Sequence, residues 1–437
     1  MTHVIVIGGG IVGLSCVRSA QRRGLKVTLV DRDFEGDRAS HGNAGGIAVT
    51  ECVPLSLAGL GLKPLKWLLD PLGPLAVRAL HAPSMLPWFL ALRRVAQPAR
   101  YQAIARALAA LNDRALADFE SLMSDLGLSA EVHKRGALTV YETDSAWKSD
   151  ADEWKLKRSL GVRWRPVDAA ELRSLEPGLA PIFRQGVMLE DWAHVDDPKR
   201  IVTALRQLAF AQGAQHVQGR AVTLRVGPTA RGEVELEDGR RLSADKVVVA
   251  AGAWSALLAK TIGDRALLES ERGYNTTLPH SAHQLTREVI FAERKFVATP
   301  LAIGMRIGGA AEFAGVDAPP NFQRSAALLK LARRYLPDLD ERDAQQWMGH
   351  RPATPDSLPV IGTSPRSDAI IYAFGHGHLG LTQGATTGEL VADLLTRAKP
   401  SVDMSPYAIS RFHSPAPHST RVLVRDAAGD QTGSMEQ

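Results

Sequence analysis

The sequence predicts an α/β fold, α+β when the whole chain is counted, and three observations carry that prediction. Residues 4–33, VIVIGGGIVGLSCVRSAQRRGLKVTLVDRD, read as strand, glycine turn, helix, second strand and terminal acid. Residues 247–252, VVVAAG, form another apolar run of the buried-strand type. Between 272 and 318 apolar and polar residues alternate through RGYNTTLP, EVIFAERKFVATP and IGMRIGGAAEF, the period of strands covered on one face. The chain has 437 residues, 45% hydrophobic and 23% charged, which suits two or three globular units with a large core.

The N-terminal unit comes first. Val4 to Ile7 is a continuous apolar strand, and Gly8, Gly10 and Gly13 follow as G-x-G-x-x-G. The first glycine allows a tight turn, the second lets a pyrophosphate approach the backbone, and the third lets helix and strand pack closely. Ile11 and Val12 open the helix, Gly24 closes it, and residues 26–30 form the second strand. Asp31 ends that strand, 18 positions after Gly13, where a carboxylate can accept from ribose hydroxyls, with Arg32 beside it. A glycine-rich turn that binds nothing is the alternative, and the full strand–helix–strand–acid context argues against it. A Rossmann-like dinucleotide site is the expectation.

DRASHGNAGGIA, residues 37–48, is a second glycine-rich stretch soon after the acid. A nicotinamide enzyme has no need of it, whereas FAD could use Ser40 at phosphate and Asn43, Ala44, Gly45, Gly46 and Ile47 along the ring. An ordinary flexible loop is the other reading. In 51–100, Pro54, Pro64, Pro71, Pro74, Pro83 and Pro87 exclude a single helix. Trp67 and Trp88 with Lys66, Arg78, Arg93 and Arg94 suit either a membrane surface or a segment packed over the flavin. Residues 100–127 read as one core helix ending at Gly127. Residues 136–143 read as a strand, 167–179 as a short helix capped by Asp168, and 186–205 as a strand leading to a helix opened by Asp197-Pro198. Asp238-Gly239 marks a hairpin. Residues 338–350 join an acidic helix to GHRPATPDSLPVIG, 349–362, where prolines at 352, 355 and 359 imply a stiff loop holding one cation, Arg351. FGHGHLGLTQGATTGELVADLL, 374–395, is glycine-rich and then helical from about Thr382. Residues 413–437 lack apolar periodicity and read as a disordered tail.

The net charge of +5 is spread along the chain without a basic patch interleaved with aromatics, which argues against nucleic acid. Two cysteines make neither a disulfide framework nor a zinc site, and Cys16 reads as a small buried hydrophobe in a reducing compartment. No leader pattern and no apolar run of spanning length is read, so the expected location is cytoplasmic, with peripheral attachment to the inner membrane face kept open. His376 and His378 lack the partner spacing of a metal site.

SHGNAGGI, LKPLKWLLDPLGPLAVR, VVVAAGAWS, RGYNTTLP, GHRPATPDSLPVIG and FGHGHLGLTQGATTGELVADLL occur in this order over residues 1–412. The chain thereby resembles the D-amino acid oxidase-like (glutathione reductase-2 type) family of FAD-dependent amine dehydrogenases and oxidases, in particular its bacterial D-amino acid dehydrogenase branch. The resemblance implies a discontinuous FAD domain, 1–50, 190–262 and 350–412, with an antiparallel β-sheet substrate domain, 51–189 and 263–349, inserted into it. It implies hydride transfer from the α-carbon of a D-amino acid, cyclic ones such as D-proline or a hydroxyproline isomer included, to flavin N5. Electrons then pass to a quinone or another respiratory acceptor. An oxygen-using oxidase of secondary amines such as sarcosine or of glycine, and a flavin-carrying subunit without turnover, are the alternatives.

By the same resemblance Arg351 pairs with the substrate carboxylate, and Tyr274 and His378 are substrate contacts, Tyr274 being alternatively a half-buried strand residue. Val222 meets the adenine through its backbone, and Gly252 and Trp254 lie near the pyrophosphate, with core packing the alternative for Trp254. Gly377, His378, Gly380, Leu381 and Thr382 face the flavin pyrimidine. Phe296 replaces an active-site tyrosine, consistent with an apolar substrate wall. Arg306 replaces a flavin-proximal lysine, which leans toward a dehydrogenase. His41 is a position at which some relatives attach flavin covalently, although its register here does not match.

Overall fold

The computed structural model describes residues 1–55 and 75–413. The expectations for 56–74, including Lys66 and Trp67, and for the tail beyond His413 lie outside the described residues.

A six-stranded sheet runs, in spatial order, Gln215–Gln218, Lys26–Asp31, His3–Ile7, Lys246–Val249, Ser367–Phe374 and Val360–Ser364. The first five strands are parallel and the last is antiparallel. Strand alternation sorts its side chains onto two cores. Val4 and Val6 pack with the helices Ile11–Arg22, Ala115–Asp125, Pro198–Ala211 and Gly380–Thr396. Ile5 and Ile7 pack with a meander, Ala221–Val226, Gly232–Leu236 and Arg241–Ala244, and the helix Ser255–Thr261. Both faces are covered at the centre of the sheet, which is why residues 4–7 and 247–249 read as unbroken apolar runs, whereas the edge strand Gln215–Gln218 is polar.

A second, larger sheet runs Gln345–Ala353, Glu269–Leu278, Gly304–Phe313, Phe296–Leu301, Glu288–Phe291, Ala137–Tyr141, Gln185–Leu189 and Trp164–Asp168, with Leu75–Val77 beside Gly304–Phe313. It is mainly antiparallel, but two pairs are parallel: Glu288–Phe291 with Ala137–Tyr141, and Leu75–Val77 with Gly304–Phe313. Those pairs join strands far apart in sequence, so no hairpin constrains their direction. A small sheet pairs Gly46–Ile47 with Ala193–Val195 and that strand with Val132–His133.

Local signals act as read at several points. Asp168 accepts from the N–H groups of Ala170 and Glu171, and Asp197 from that of Lys199, capping their helices. Gly239, at φ +86°, turns the 238–239 hairpin. Both cysteines are buried thiols.

Three expectations are corrected. The single helix over 100–127 is two, Pro98–Asn112 and Ala115–Asp125, broken where Asn112 donates to Glu51 O and accepts from Gln383. The helix before the proline stretch is Gln323–Ala332, which carries no acidic residue. Arg351 stands on a strand rather than a loop: Gln345–Ala353 is the edge of the large sheet, and Pro352, which has no N–H to give, is tolerated at an edge. That strand pairs with Glu269–Leu278 as far as Ala353.

Candidate functional site

The glycine turn closes on the neighbouring strand. Gly8 has φ +113°, and a Cβ there would sit 2.3 Å from Ala250 O. A Cβ on Gly13 would sit 1.9 Å from Gly8 O. These two glycines let strand and helix meet. At Gly10, Gly252 and Gly377 a Cβ would meet nothing closer than Ser40 Oγ at 3.4 Å, so these backbones face open space. Gly9 N donates to Asp31 Oδ2 (2.5 Å), and Ile11 N, at the helix start, donates to Ser40 Oγ (3.1 Å). Val12 lies in the same first turn. The turn therefore gathers backbone donors, a helix N-terminus and a carboxylate, the set that holds a nucleotide pyrophosphate and its ribose. Arg38 donates to Gly9 O (3.2 Å) and ties this turn to the loop that follows. The Arg32 guanidinium lies 4.2 Å over the Trp254 ring, whose other neighbour is His350 at 5.2 Å. Val222 lies on the meander, at a register shift between Ala221 and Thr223, and is exposed.

The loop 37–47 lies between the two large sheets and is clamped from the second. Arg306, 6% exposed, donates through Nη1 to His41 O (3.3 Å) and Asn43 O (2.6 Å) and through Nε to Thr277 Oγ1 (3.1 Å). Burial lowers its pKa to about 10. Asn275 donates to Gly42 O (2.8 Å), and the Trp347 ring covers Gly42 while its indole N–H donates to Asp37. His41 shares a hydrogen bond with Asp37 (3.1 Å). Asn43 turns the loop by accepting from Gly45 N (2.8 Å) and reaches His378 O (3.4 Å) with its amide. Ala44 follows it, half-buried, and Gly45 meets Leu301. Ala48 N donates to Thr382 Oγ1 (2.9 Å) at the start of Gly380–Thr396. Leu381 is buried beside it.

Gly46 abuts a buried acid. A Cβ there would be 2.1 Å from Glu288 Oε2, which also accepts from the Trp192 indole (3.0 Å). Burial pushes the Glu288 pKa up to about 8; the indole hydrogen bond opposes this, and the nearby Glu51 carboxylate adds to it. Glu51 itself is paired with the buried Lys157 at 3.2 Å.

At the other end of the loop, Arg351 stands directly opposite Glu271 on adjacent strands and donates to its Oε1 (2.8 Å). Its guanidinium lies over Gly273, where a Cβ would meet it at 2.4 Å. His378 is solvent-exposed, and desolvation by the protein around it lowers its pKa, with Glu271 and Glu51 opposing that shift and Arg351 adding to it. Gly377 N donates to Pro352 O (2.9 Å), tying the His378 loop to the Arg351 strand.

Strand parity turns Tyr274 away from the Arg351 face. Glu271, Gly273 and Asn275 share the face that meets Arg351 and the loop 37–47. Tyr274 has the opposite parity: it is fully buried, donates to Glu312 Oε2 (2.6 Å) and accepts from Asn321 N (3.0 Å). Phe296 is a core residue, stacked on Phe291 at 4.2 Å and packed against Tyr335, and does not form a substrate wall. Arg38, Glu271, Asn275, Glu288 and Trp347 were not singled out from sequence. Alternation places Glu271 and Asn275 on one face of a strand, but only the pairing with Gln345–Ala353 identifies that face.

The family model described as FAD dependent oxidoreductase matches residues 3–394. A D-amino-acid oxidase of Bradyrhizobium diazoefficiens is 35% identical over 417 residues, covering 94% of this chain and 99% of that protein. A D-amino acid dehydrogenase of Rhizobium johnstonii is 28% identical over 414 residues, covering 94% and 99%. Among solved structures, L-proline dehydrogenase from P. horikoshii superposes with a TM-score of 0.73 at 19% identity, covering 94% of this chain and 97% of that one. Glycine oxidase from Geobacillus kaustophilus superposes with a TM-score of 0.71 at 21% identity, covering 94% and 99%.

Proposed function

The chain belongs to the FAD-dependent oxidoreductase family, and on that premise we propose that it oxidises D-amino acids, cyclic ones included, to imines, which hydrolyse to a 2-oxo acid and ammonia or, when the amine is part of a ring, persist as cyclic imines. Bound FAD supplies the two-electron acceptor for this chemistry. The glycine turn with Gly8, Gly10, Ile11, Val12 and Gly13, the acid Asp31 with Arg32, the loop Ser40 to Ile47, the strand end with Gly252 and Trp254, and residues 377–382 are its proposed contacts. Val222 is the proposed adenine neighbour. The six-stranded sheet with its helices is the proposed FAD-binding unit, and the large sheet, now including Gln345–Ala353, the substrate unit.

The single observation that carries the substrate reading is Arg351. Its guanidinium is held flat over Gly273, on the sheet face that meets the loop 37–47, next to His378. A planar guanidinium so held can take a carboxylate and set the orientation of the α-carbon. The stereochemical class is supported by the two relatives named for D-amino acids.

For the electron acceptor we propose a quinone or another membrane-borne carrier. Leu80, Leu86 and Leu90 are exposed, and Arg93 and Arg94 lie on the same helix, Leu86–Val95. An apolar strip beside basic residues suits contact with an anionic lipid surface. None of the helices among the described residues is long and apolar enough to cross a membrane. Oxygen is the second reading, favoured by the relative named as an oxidase.

The test is anaerobic bleaching of the flavin absorbance by a panel of D- and L-amino acids, proline isomers and N-methyl amines. D-amino acids bleach it, and air restores the colour slowly. Rapid recovery with stoichiometric peroxide selects oxygen as acceptor. A bound flavin that no amine reduces overturns the proposal. Arg351→Ala keeps the yellow colour and raises KM by about a hundredfold, the scale of a lost charge-assisted contact. A colourless Arg351→Ala protein counts against the role.

A further inference from the structure

The arginine that receives a carboxylate is usually most useful when it is uncompensated. Here it is not. Arg351 and Glu271 face each other across two hydrogen-bonded strands, and Nη1 donates to Oε1 at 2.8 Å. The pair does not sit on the outer surface: it lies on the face shared with Asn275, whose amide holds Gly42 of the loop 37–47. Nor is it sealed, since the Arg351 and Glu271 side chains are 28% and 19% exposed. Gly273, two residues after Glu271 on the same face of the strand, has no side chain to separate the guanidinium from the sheet.

Given Arg351 as the carboxylate holder, on which this rests, we infer that Glu271 is a specificity-determining residue: with Arg351 it forms a zwitterion receptor, which accepts a carboxylate only when a cationic amine accompanies it. The pair is neutral as a unit. A zwitterionic amino acid adds a carboxylate next to Arg351 and an ammonium next to Glu271, and the sum stays neutral. A simple carboxylate adds one uncompensated negative charge beside Glu271 in a partly desolvated site, which is unfavourable. The 2-oxo acid formed by the reaction is such a carboxylate. Glu271 therefore separates substrate from product and favours product release.

Among the described residues, other charged groups near this pair can be named. His378 approaches from the loop before Gly380–Thr396, with Glu51 behind it. Glu269, two residues before Glu271 on the same strand, is paired with His81 at 3.0 Å. Arg306, on the same sheet, is engaged by the carbonyls of His41 and Asn43.

A carboxylate beside the bound ammonium also holds its proton. Oxidation needs the free amine, so the rising limb of kcat with pH moves to lower pH when the charge at 271 is removed.

The experiment uses the FAD-loaded full chain and its Glu271→Gln, Glu271→Asp and Arg351→Met variants. Three probes share one carbon skeleton: D-alanine, pyruvate and propanoate. Inhibition by pyruvate and propanoate, and KM and kcat for D-alanine, are measured across pH. Glu271→Gln is expected to bind pyruvate and propanoate about tenfold more tightly relative to D-alanine, and to shift the kcat limb to lower pH. Glu271→Asp, which keeps the charge, restores the wild-type preference at least in part. Flavin absorbance and thermal unfolding show that each variant is folded. A preference unchanged within about twofold in Glu271→Gln, or equal weakening for all three probes, overturns the inference. If Arg351→Met leaves all three probes unaffected, it is the assignment of Arg351 itself that fails.

Discussion

At the scale of single residues, parity on the Glu269–Leu278 strand decides which side chains face Arg351 and the loop 37–47. Consecutive side chains point to opposite faces, so Tyr274 cannot share the face of Gly273 and Asn275. Its hydroxyl is instead part of a buried network with Glu312 and Asn321, and Arg78 reaches Glu312 from the other side at 2.9 Å. Tyr274→Phe is therefore expected to cost about 1–3 kcal/mol of stability, the range for stranding buried hydrogen-bond partners, with KM for the substrate unchanged. Thermal unfolding and steady-state kinetics check this together, and a large rise in KM with unchanged stability would return Tyr274 to the substrate site. Gly13 shows the opposite case, a residue whose role was plain from spacing. Its Cβ position lies within 1.9 Å of Gly8 O, and backbone cannot yield as a side chain tip can.

At the scale of elements, the loop 37–47 has little regular structure of its own beyond Gly46–Ile47. Its shape comes from outside, from Arg306, Asn275 and Trp347 on three different strands of the large sheet. A loop held this way is pre-organised by the neighbouring sheet rather than by its glycines. The helix Leu86–Val95 is turned inward by Trp88, whose indole donates to Ala353 O (3.1 Å), and by Leu92 and Val95. Leu86 and Leu90, four residues apart, then share the outward face. Leu86→Ser with Leu90→Ser is expected to abolish sedimentation with phosphatidylglycerol vesicles and leave flavin bleaching by substrate intact. Equal sedimentation of variant and parent would remove the membrane reading of this helix.

At the scale of the whole molecule, Glu288 makes stability depend on pH in an unusual direction. Its pKa in the fold is about 8, above the ordinary 4.5, because burial disfavours the carboxylate. A folded-state pKa raised above the unfolded value means that the folded chain binds the extra proton. Its contribution is complete below pH ~4.5 and is lost as pH rises toward ~8, with a slope of up to about 1.4 kcal/mol per pH unit. Glu288→Gln is expected to flatten this slope and to be more stable than the parent at pH ~8 in urea unfolding. An unchanged slope would show that Glu288 ionises freely. His376, buried with its Nε2 against Thr387 Oγ1 at 2.9 Å, acts in the other sense. Burial lowers its pKa to about 3, so its contribution is present above pH ~6.5 and is lost as pH falls toward ~3.

What was legible in the chain follows from how local each signal is. The strand–turn–helix–strand unit, the caps at Asp168 and Asp197 and the turn at Asp238-Gly239 depend on neighbours a few residues away, and they were readable. The helix break at Asn112 was not, because its cause is contact with Glu51 and Gln383. Arg351 stood out in its segment as a cation to explain, but its strand was mistaken for a loop because the prolines around it look like turn signals until an edge position is known.

The amino-acid sequence by itself determined the family, the nucleotide turn, the second glycine loop and one cation worth explaining, because each is carried by spacing along a short segment. Only the tertiary structure decided that Glu271 faces Arg351, that Tyr274 and Phe296 turn away, and that Glu288 lies against Gly46. Those relations depend on which strands pair, in what register and on which face, and pairing across some eighty residues, as between Glu271 and Arg351, leaves no local mark in the chain.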